Sequence, residues 1–229
     1  MKTTLNITSR LKPEKKVTKF VGVVFALILA AFTHPTAAWA GGVSHSSGVS
    51  AIASFFYEDP PCVTTFVFVF AEDFKSQNPP GPGESGSRAN IFIFQDDTCT
   101  ATTLLNAACF PPTPLLAEQD FQVKGNLNSA TLKTTLECSE SVSDTTFSVD
   151  VDLLWTGTGD LSRGNSHSHT SFPDCIINSN FKGVFRPTME SGTVSDGITN
   201  FTPVPSLPDA GDNITSGKGG QVLIGTGCP

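Results

Sequence analysis

The segment Thr146-Phe-Ser-Val-Asp-Val-Asp-Leu-Leu-Trp-Thr156 decides the fold class of this chain. Apolar residues fall at every second position, and most residues between them are polar. Because side chains alternate between the two faces of a β-strand, this pattern predicts a strand with one buried and one solvated face. The buried face comprises Phe147, Val149, Val151, Leu153 and Trp155, and the solvated face comprises Ser148, Asp150 and Asp152.

Further strand-like segments lie on both sides of this one. Residues 62–71 alternate Phe with Val, and residues 90–95 alternate Ile with Phe, so these strands are apolar on both faces and are expected beneath a covering layer or inside a sandwich. The only helix-compatible stretch is Thr100–Ala108. About eight to ten short strands predict a single all-β domain, either a β-sandwich or a jelly-roll-like fold. The other predicted strands cover residues 51–57, 121–124, 130–137, 176–185, 192–198 and 221–225.

Residues 1–40 have the three parts of a cleavable secretory signal peptide. A segment with six basic residues precedes an apolar run from Phe20 to Phe32, and Ala38-Trp39-Ala40 supplies the small-x-small cleavage pattern. As a helix the apolar run would span roughly 20 Å, short of the ~30 Å hydrocarbon core of a bilayer. We therefore expect a secreted or periplasmic domain of residues 41–229, with no membrane insertion after signal cleavage.

Two segments of this domain have the composition of irregular structure. Residues 41–50 are rich in Gly and Ser and are expected to form a flexible lead-in. Residues 76–89 are rich in Pro, Gly and Ser and are expected to form a mobile loop between two strands.

The chain beyond residue 40 is strongly acidic. The whole chain has 14 Lys and Arg against 21 Asp and Glu; residues 1–40 hold 6 and 1 of these, which leaves 8 and 20, a net charge of −12. A surface with this charge repels phosphate backbones and anionic lipids, so we expect neither nucleic acid nor a membrane surface as a partner.

All six cysteines follow the signal segment. An even number of cysteines in an exported chain predicts three disulfides. We prefer Cys99–Cys109 as a local pair, because the short intervening segment can close a hairpin or a loop. The cysteines are Cys62, Cys99, Cys109, Cys138, Cys175 and Cys228.

The candidate metal site is Ser166-His167-Ser168-His169. On an extended strand the two imidazoles lie on one face about 6.6 Å apart, close enough to share an ion. The spacing resembles the His-x-His of the cupins, jelly-roll metal enzymes that add a later Glu and a third His. Here the next acid is Asp174, and the remaining histidine after residue 40 is His45 in the predicted lead-in. We therefore favour a polar surface loop over a metal site at His167 and His169.

Acidic clusters offer a second kind of metal site, a structural calcium. Calcium takes six to eight oxygen ligands, and none of the clusters has the spacing of a dedicated calcium loop. We expect them to serve turns and solvated strand faces. The clusters are Glu72-Asp73, Asp96-Asp97, Asp150 with Asp152, and Asp209 with Asp212.

Catalytic motifs are missing from the sequence. It has no Gly-x-Ser-x-Gly nucleophile elbow. The glycine-rich Gly217–Gly220 lacks a following helix and is expected to be a turn instead of a phosphate-binding loop. Asn200-Phe-Thr202 and Asn213-Ile-Thr215 match the N-glycosylation acceptor, which matters only if the producing cell glycosylates.

These observations favour a non-catalytic binding or surface-associated module without a cofactor, whose ligand is an extracellular or surface component. A secreted hydrolase with a carboxylate pair is the first alternative. The second is a cupin-like metal enzyme that uses His167 and His169.

Overall fold

Strands make up nearly all of the structure, a computed structural model that describes residues 42–59, 62–77, 82–172, 175–204 and 212–224. The predicted signal segment, residues 1–40, lies outside the described residues. No helix in the described ranges is long and apolar enough to cross a bilayer. The strands are β1 (Gly42–Asp59), β2 (Val63–Gln77), β3 (Glu84–Asp97), β4 (Thr102–Phe110), β5 (Phe121–Lys124), β6 (Ser129–Glu140), β7 (Thr145–Gly157), β8 (Ser162–Phe172), β9 (Cys175–Ser195) and β10 (Asn213–Ile224).

All ten strands of the described residues belong to one antiparallel sheet. Its order is β10-β1-β2-β3-β4-β6-β7-β9-β8, and β5 pairs with β6. Because β10 pairs with β9 as well as with β1, the sheet closes on itself. The prediction of an all-β domain is confirmed, whereas the finer prediction of a sandwich or a jelly roll is not.

The interior of the closed sheet is the apolar core. Strand β7 contributes Val149, Val151, Leu153 and Trp155, all at most 2% exposed, while Asp150 and Asp152 lie exposed on the other face. The alternation in the sequence therefore predicted this strand correctly, and four of the five residues of its predicted buried face are buried, whereas Phe147 is half-buried. The Trp155 indole Nε1 donates a hydrogen bond to the Ile52 carbonyl at 2.9 Å, which satisfies the one polar group on this side chain.

Strand β2 is buried on both faces, as its sequence predicted. Val67 and Val69 point into the core, and Phe68 and Phe70 on the opposite face are also buried. On that outer face the Phe68 ring lies 6.4 Å from the Phe92 ring of β3, a normal separation for a packed aromatic pair.

Three segments predicted to be irregular or helical are strands in whole or in part. Residues 42–50 form the first half of β1 because the whole segment pairs with β10 and residues 45–50 also pair with β2. The predicted loop 76–89 is shorter, since β2 continues to Gln77 and β3 begins at Glu84; residues 78–81 lie outside the described ranges. The helix-compatible stretch becomes β4 because it pairs with residues 91–97 of β3. In all three cases pairing with neighbours overrides local composition.

The disulfides differ from the preferred pairing. Cys99 bonds to Cys62, and Cys109 bonds to Cys138. The Cys99–Cys109 pair is wrong because Cys99 lies in the turn before β4 and Cys109 lies near the end of that strand, roughly 25 Å away at the usual rise per residue. Cys109 instead faces Cys138 directly across the β4–β6 ladder. Cys175 is also disulfide-bonded, and Cys228 lies outside the described residues.

Candidate functional site

Six residues form a row across six neighbouring strands at one end of the sheet, which we call the mouth row. Each is the direct cross-strand partner of the next, so all six side chains point to the same face. From β8 through β9, β10, β1 and β2 to β3, the mouth row is Asn165, Lys182, Lys218, Ser47, Lys75 and Ser85.

The mouth row faces the interior of the closed sheet. In β1, Ser47 lies on the same face as the core residues Ala51 and Ala53, because residues two apart share a face. The row next to it, one step closer to the core, contains Val49 and Val184 together with the polar Asp73 and Arg163. The interior therefore changes from apolar to polar toward this end.

An open cavity of about 1000 Å³ lies among these residues. Among the described residues, four cationic side chains line it: Lys75, Arg163, Lys182 and Lys218. Among the described residues that line it, Asp73 is the one acid. Half of the eight Lys and Arg residues after residue 40 thus gather at one cavity of a chain that is otherwise acidic.

A second cavity, of about 530 Å³, adjoins the first and shares Ser47, Lys75, Lys182 and Lys218 with it. It adds His45, Gln77 and Asn180, whose side chains can form hydrogen bonds with a ligand. His45, placed by the sequence in a flexible lead-in, is in fact a lining residue on a paired strand. We call the two cavities together the basic mouth.

The positive charge of the basic mouth is not balanced locally. Two ion pairs form within the described ranges, Arg88–Glu72 at 2.5 Å and Lys133–Asp152 at 2.9 Å, and neither involves a cation of the mouth. Lys182 and Lys218 lie directly opposite each other, an arrangement in which like charges destabilise a sheet. Clefts lined by charge of one sign concentrate the electric field and attract ions of the opposite sign.

Glycines next to Lys182 on β9 and Lys218 on β10 leave room for an aromatic ring on the outer face of the sheet. The Phe181 ring lies over Gly183 and Gly217 on the outer face, and a Cβ at Gly217 would lie 2.5 Å from that ring. The predicted turn at Gly217–Gly220 is wrong. This segment belongs to strand β10, in which the glycines leave room for the Phe181 ring on the outer face and Lys218 points inward.

No protein-family model, curated protein or solved structure matches this chain.

The two predicted metal-ligand histidines lie on the edge strand β8 and not in a surface loop, and His167 is the cross-strand partner of Asn180, a lining residue of the basic mouth. His167 and His169 are both exposed and share a face two residues apart. The imidazole Nδ1 of His169 donates a hydrogen bond to Asn178 Oδ1 at 2.7 Å. Asp174 lies outside the described residues.

The acidic clusters serve separate local roles. Asp97 accepts hydrogen bonds from the backbone N–H groups of Thr100 and Cys99, at 3.1 and 2.8 Å, and hydrogen bonding from Thr100 and then Cys99 holds the pKa of Asp97 below its ordinary value. Glu72 pairs with Arg88, while its neighbour Asp73 points into the mouth. Asp97 therefore stabilises a turn, and Glu72 forms an ion pair.

The other acidic pairs are similarly dispersed. Asp150 accepts a hydrogen bond from Thr135 Oγ1 at 2.7 Å, and Asp152 pairs with Lys133 on the exposed face of β7. Asp212 is buried, and Asp209 lies outside the described residues. Within the described ranges, the one group of three potential ligands close enough to share an ion is Cys62, Asp97 and Cys99, whose two sulfurs are already joined in a disulfide.

Sequence reasoning missed the basic mouth because its cations are far apart along the chain. Lys75 and Lys218 come from β2 and β10, which are brought together only by pairing through β1. The one available signal was the count of basic residues: with only eight after residue 40, each could have been placed on a strand face.

Proposed function

We propose that this chain is an exported, non-catalytic binding domain that takes an anionic ligand in the basic mouth. The observation that carries this proposal is the convergence of Lys75, Arg163, Lys182 and Lys218 at one cavity without matching carboxylates. Holding Lys182 opposite Lys218 costs folding free energy, and a bound anion would offset that cost.

The lining suits carboxylate, sulfate or phosphate groups. Lysine supplies compact, rotatable ammonium donors, and Arg163 supplies a planar fork that can hold two oxygens at once. Ser47, Ser216 and Asn165 add neutral hydrogen-bonding groups for hydroxyl or carbonyl oxygens. Because the cavities are large, open and contiguous, the best fit is an extended ligand with several anionic groups, such as an acidic sugar chain.

The two enzymatic alternatives have less support. Hydrolysis of glycosides uses a pair of carboxyl groups, whereas the described lining of the mouth offers Asp73 alone. A cupin-like centre needs its histidines inside the fold beside further ligands, but His167 and His169 are exposed on an edge strand. A binding role requires neither arrangement.

The proposal includes export by the signal peptide at residues 1–40, with secretion or release to the periplasm. Disulfides form and persist in such oxidising compartments, and both fully described disulfides are compatible with this location.

Calorimetric titration of the exported protein with dextran sulfate, citrate and inorganic phosphate tests the proposal. Replacing both Lys182 and Lys218 with alanine should weaken binding of dextran sulfate at least tenfold, about 1.4 kcal/mol. The matched control removes two positive charges elsewhere, with Lys124→Ala and Lys133→Ala, and should change the affinity less than about twofold, since exposed charges distant from a site act weakly.

Added salt should weaken binding by the unmodified protein, because the attraction is electrostatic. Equal loss of affinity in the two double variants would show that only net charge matters. That result, or the absence of binding to all three probes at low ionic strength, would overturn the proposal. Citrate and phosphate separate recognition of small anions from recognition of a chain.

A further inference from the structure

Strand β8 presents an open edge. It pairs with β9 along Ser162–Phe172, and among the described residues no strand pairs with its other edge. Ser162, Arg163 and residues 165–171 are all exposed. An exposed edge of this length offers a row of backbone donors and acceptors to another strand.

His167 and His169 occupy one face of this edge strand. Their separation along the strand is about 6.6 Å, within reach of a shared metal ion. The hydrogen bond from His169 Nδ1 to Asn178 Oδ1 fixes the tautomer, so the lone pair of that ring is on Nε2. Histidines that bind metals usually donate their second ring nitrogen to an oxygen in this way.

One copy of the chain supplies half of a zinc site. Zinc in a structural site takes four ligands in a tetrahedral arrangement, whereas β8 offers two imidazoles. If two copies of β8 pair antiparallel about Ser168, each His167 lies opposite His169 of the second copy. Opposite Cβ atoms in such a pair are about 5 Å apart, so four imidazoles share one face in a compact rectangle.

We propose that β8 is a metal-dependent self-association edge, at which zinc is bound by His167 and His169 of two copies related by a twofold axis. The contact is isologous, as in most dimers. Its other face carries Ser166, Ser168 and Thr170, small polar residues that fit a ladder between identical strands. Arg163, the one charged residue of the strand, does not face itself in this register, so no like charges oppose each other.

Sedimentation of the exported protein with zinc chloride and with EDTA tests this proposal. The mass should double in zinc, with one zinc bound per two chains, and return to that of one chain in EDTA. Replacing both histidines, His167→Asn and His169→Asn, should leave a single chain in zinc. These side chains are exposed, so the variant is expected to fold, and circular dichroism and the thermal midpoint check that it does.

The control is Ser148→Ala, at an exposed position of β7 outside the proposed contact, which should still dimerise with zinc. The proposal is overturned if the unmodified protein stays a single chain in zinc or binds one zinc per chain. It is equally overturned if the dimer persists in EDTA or forms in the double histidine variant. None of these measurements depends on the anionic ligand of the basic mouth.

Discussion

Gly192 shows how a single residue can be required by backbone geometry. It lies in β9 opposite Leu153, with a φ of +120°, a conformation that residues with a Cβ rarely adopt. A Cβ at this position would lie 2.0 Å from the carbonyl oxygen of Asp152, so the strands could not keep their present separation. Both the dihedral angle and the close contact select glycine.

We therefore expect Gly192→Ala to lower the free energy of unfolding by about 3 kcal/mol, measured by urea denaturation. Gly197→Ala is the matched control, since Gly197 has a φ of +87° but no atom within 4 Å of the position that a Cβ would occupy. Its cost should be about 1 kcal/mol, from the dihedral angle alone. Equal losses in the two variants would show that contact with Asp152 does not matter.

At the scale of elements, the β6–β7 hairpin is held at its turn by Glu140. This buried carboxylate accepts hydrogen bonds from the backbone N–H groups of Val142 and Ser143, each at 2.6 Å, and another from the Ser143 hydroxyl. The Ser143 side chain is the main reason that the pKa of Glu140 lies below its ordinary value, followed by the Val142 and Ser143 backbone groups. The carboxylate thus satisfies the donors that the turn leaves unpaired.

A lowered pKa in the folded state means that the ionised Glu140 stabilises the fold. This contribution is present above the pKa of glutamate in the unfolded chain, about 4.3, and is lost as the pH falls through the lower folded value. Glu140→Gln should therefore lower the urea midpoint at pH 7, and the difference from the unmodified protein should shrink at about pH 3. Glu137→Gln, at an exposed position of the same strand, should show little difference at either pH. A constant gap for Glu140→Gln would contradict this explanation.

The strands differ in how far their sequences predict them. Strand β7 was predicted almost to the residue because apolar and polar side chains alternate along it and the burial follows that alternation. Residues 42–50 and 217–220 carry mainly glycine and serine, which have no strand preference, and they become strands through pairing with neighbouring strands. Local composition cannot show which partners a segment will find.

At the scale of the whole molecule, the two fully described disulfides join neighbouring parts of the sheet: Cys62 and Cys99 lie just outside the ends of β2 and β3, and Cys109 and Cys138 lie on β4 and β6. Cys62–Cys99 and Cys109–Cys138 close loops of similar length, with sequence separations of 37 and 29 residues. The loss of either should cost about 3–4 kcal/mol through the entropy of the unfolded chain. The second pair is also buried in the core, at 0% and 1% exposure, so its removal leaves a cavity.

We expect Cys109→Ala with Cys138→Ala to destabilise the protein more than Cys62→Ala with Cys99→Ala does. Guanidinium denaturation followed by Trp155 fluorescence would measure both, because that indole is fully buried in the fold. If the loss of Cys62–Cys99 were the more destabilising, the covalent constraint at the end of the sheet would matter more than packing in its interior.

The basic mouth is a feature of the whole molecule, and the sequence alone could not predict it. The all-β class, the buried face of β7 and the two-sided burial of β2 follow from patterns within short segments. The basic mouth depends on the closure of β10 onto both β1 and β9, which brings Lys182 next to Lys218 and both near Lys75. Closure joins residues more than a hundred positions apart, and no local pattern encodes it.

The pairing of β1 with β10 also determines where a tag, a carrier or a solid support can be attached to the molecule. Gly42 is the partner of Leu223, so the first and last described strands begin and end side by side, beyond the mouth row. An affinity tag or a fused carrier attached at either end would crowd the entrance to the basic mouth. The turn at residues 141–144 lies at the other end of the sheet and is exposed. Attachment to a solid support through that turn would leave the lysines facing the solution.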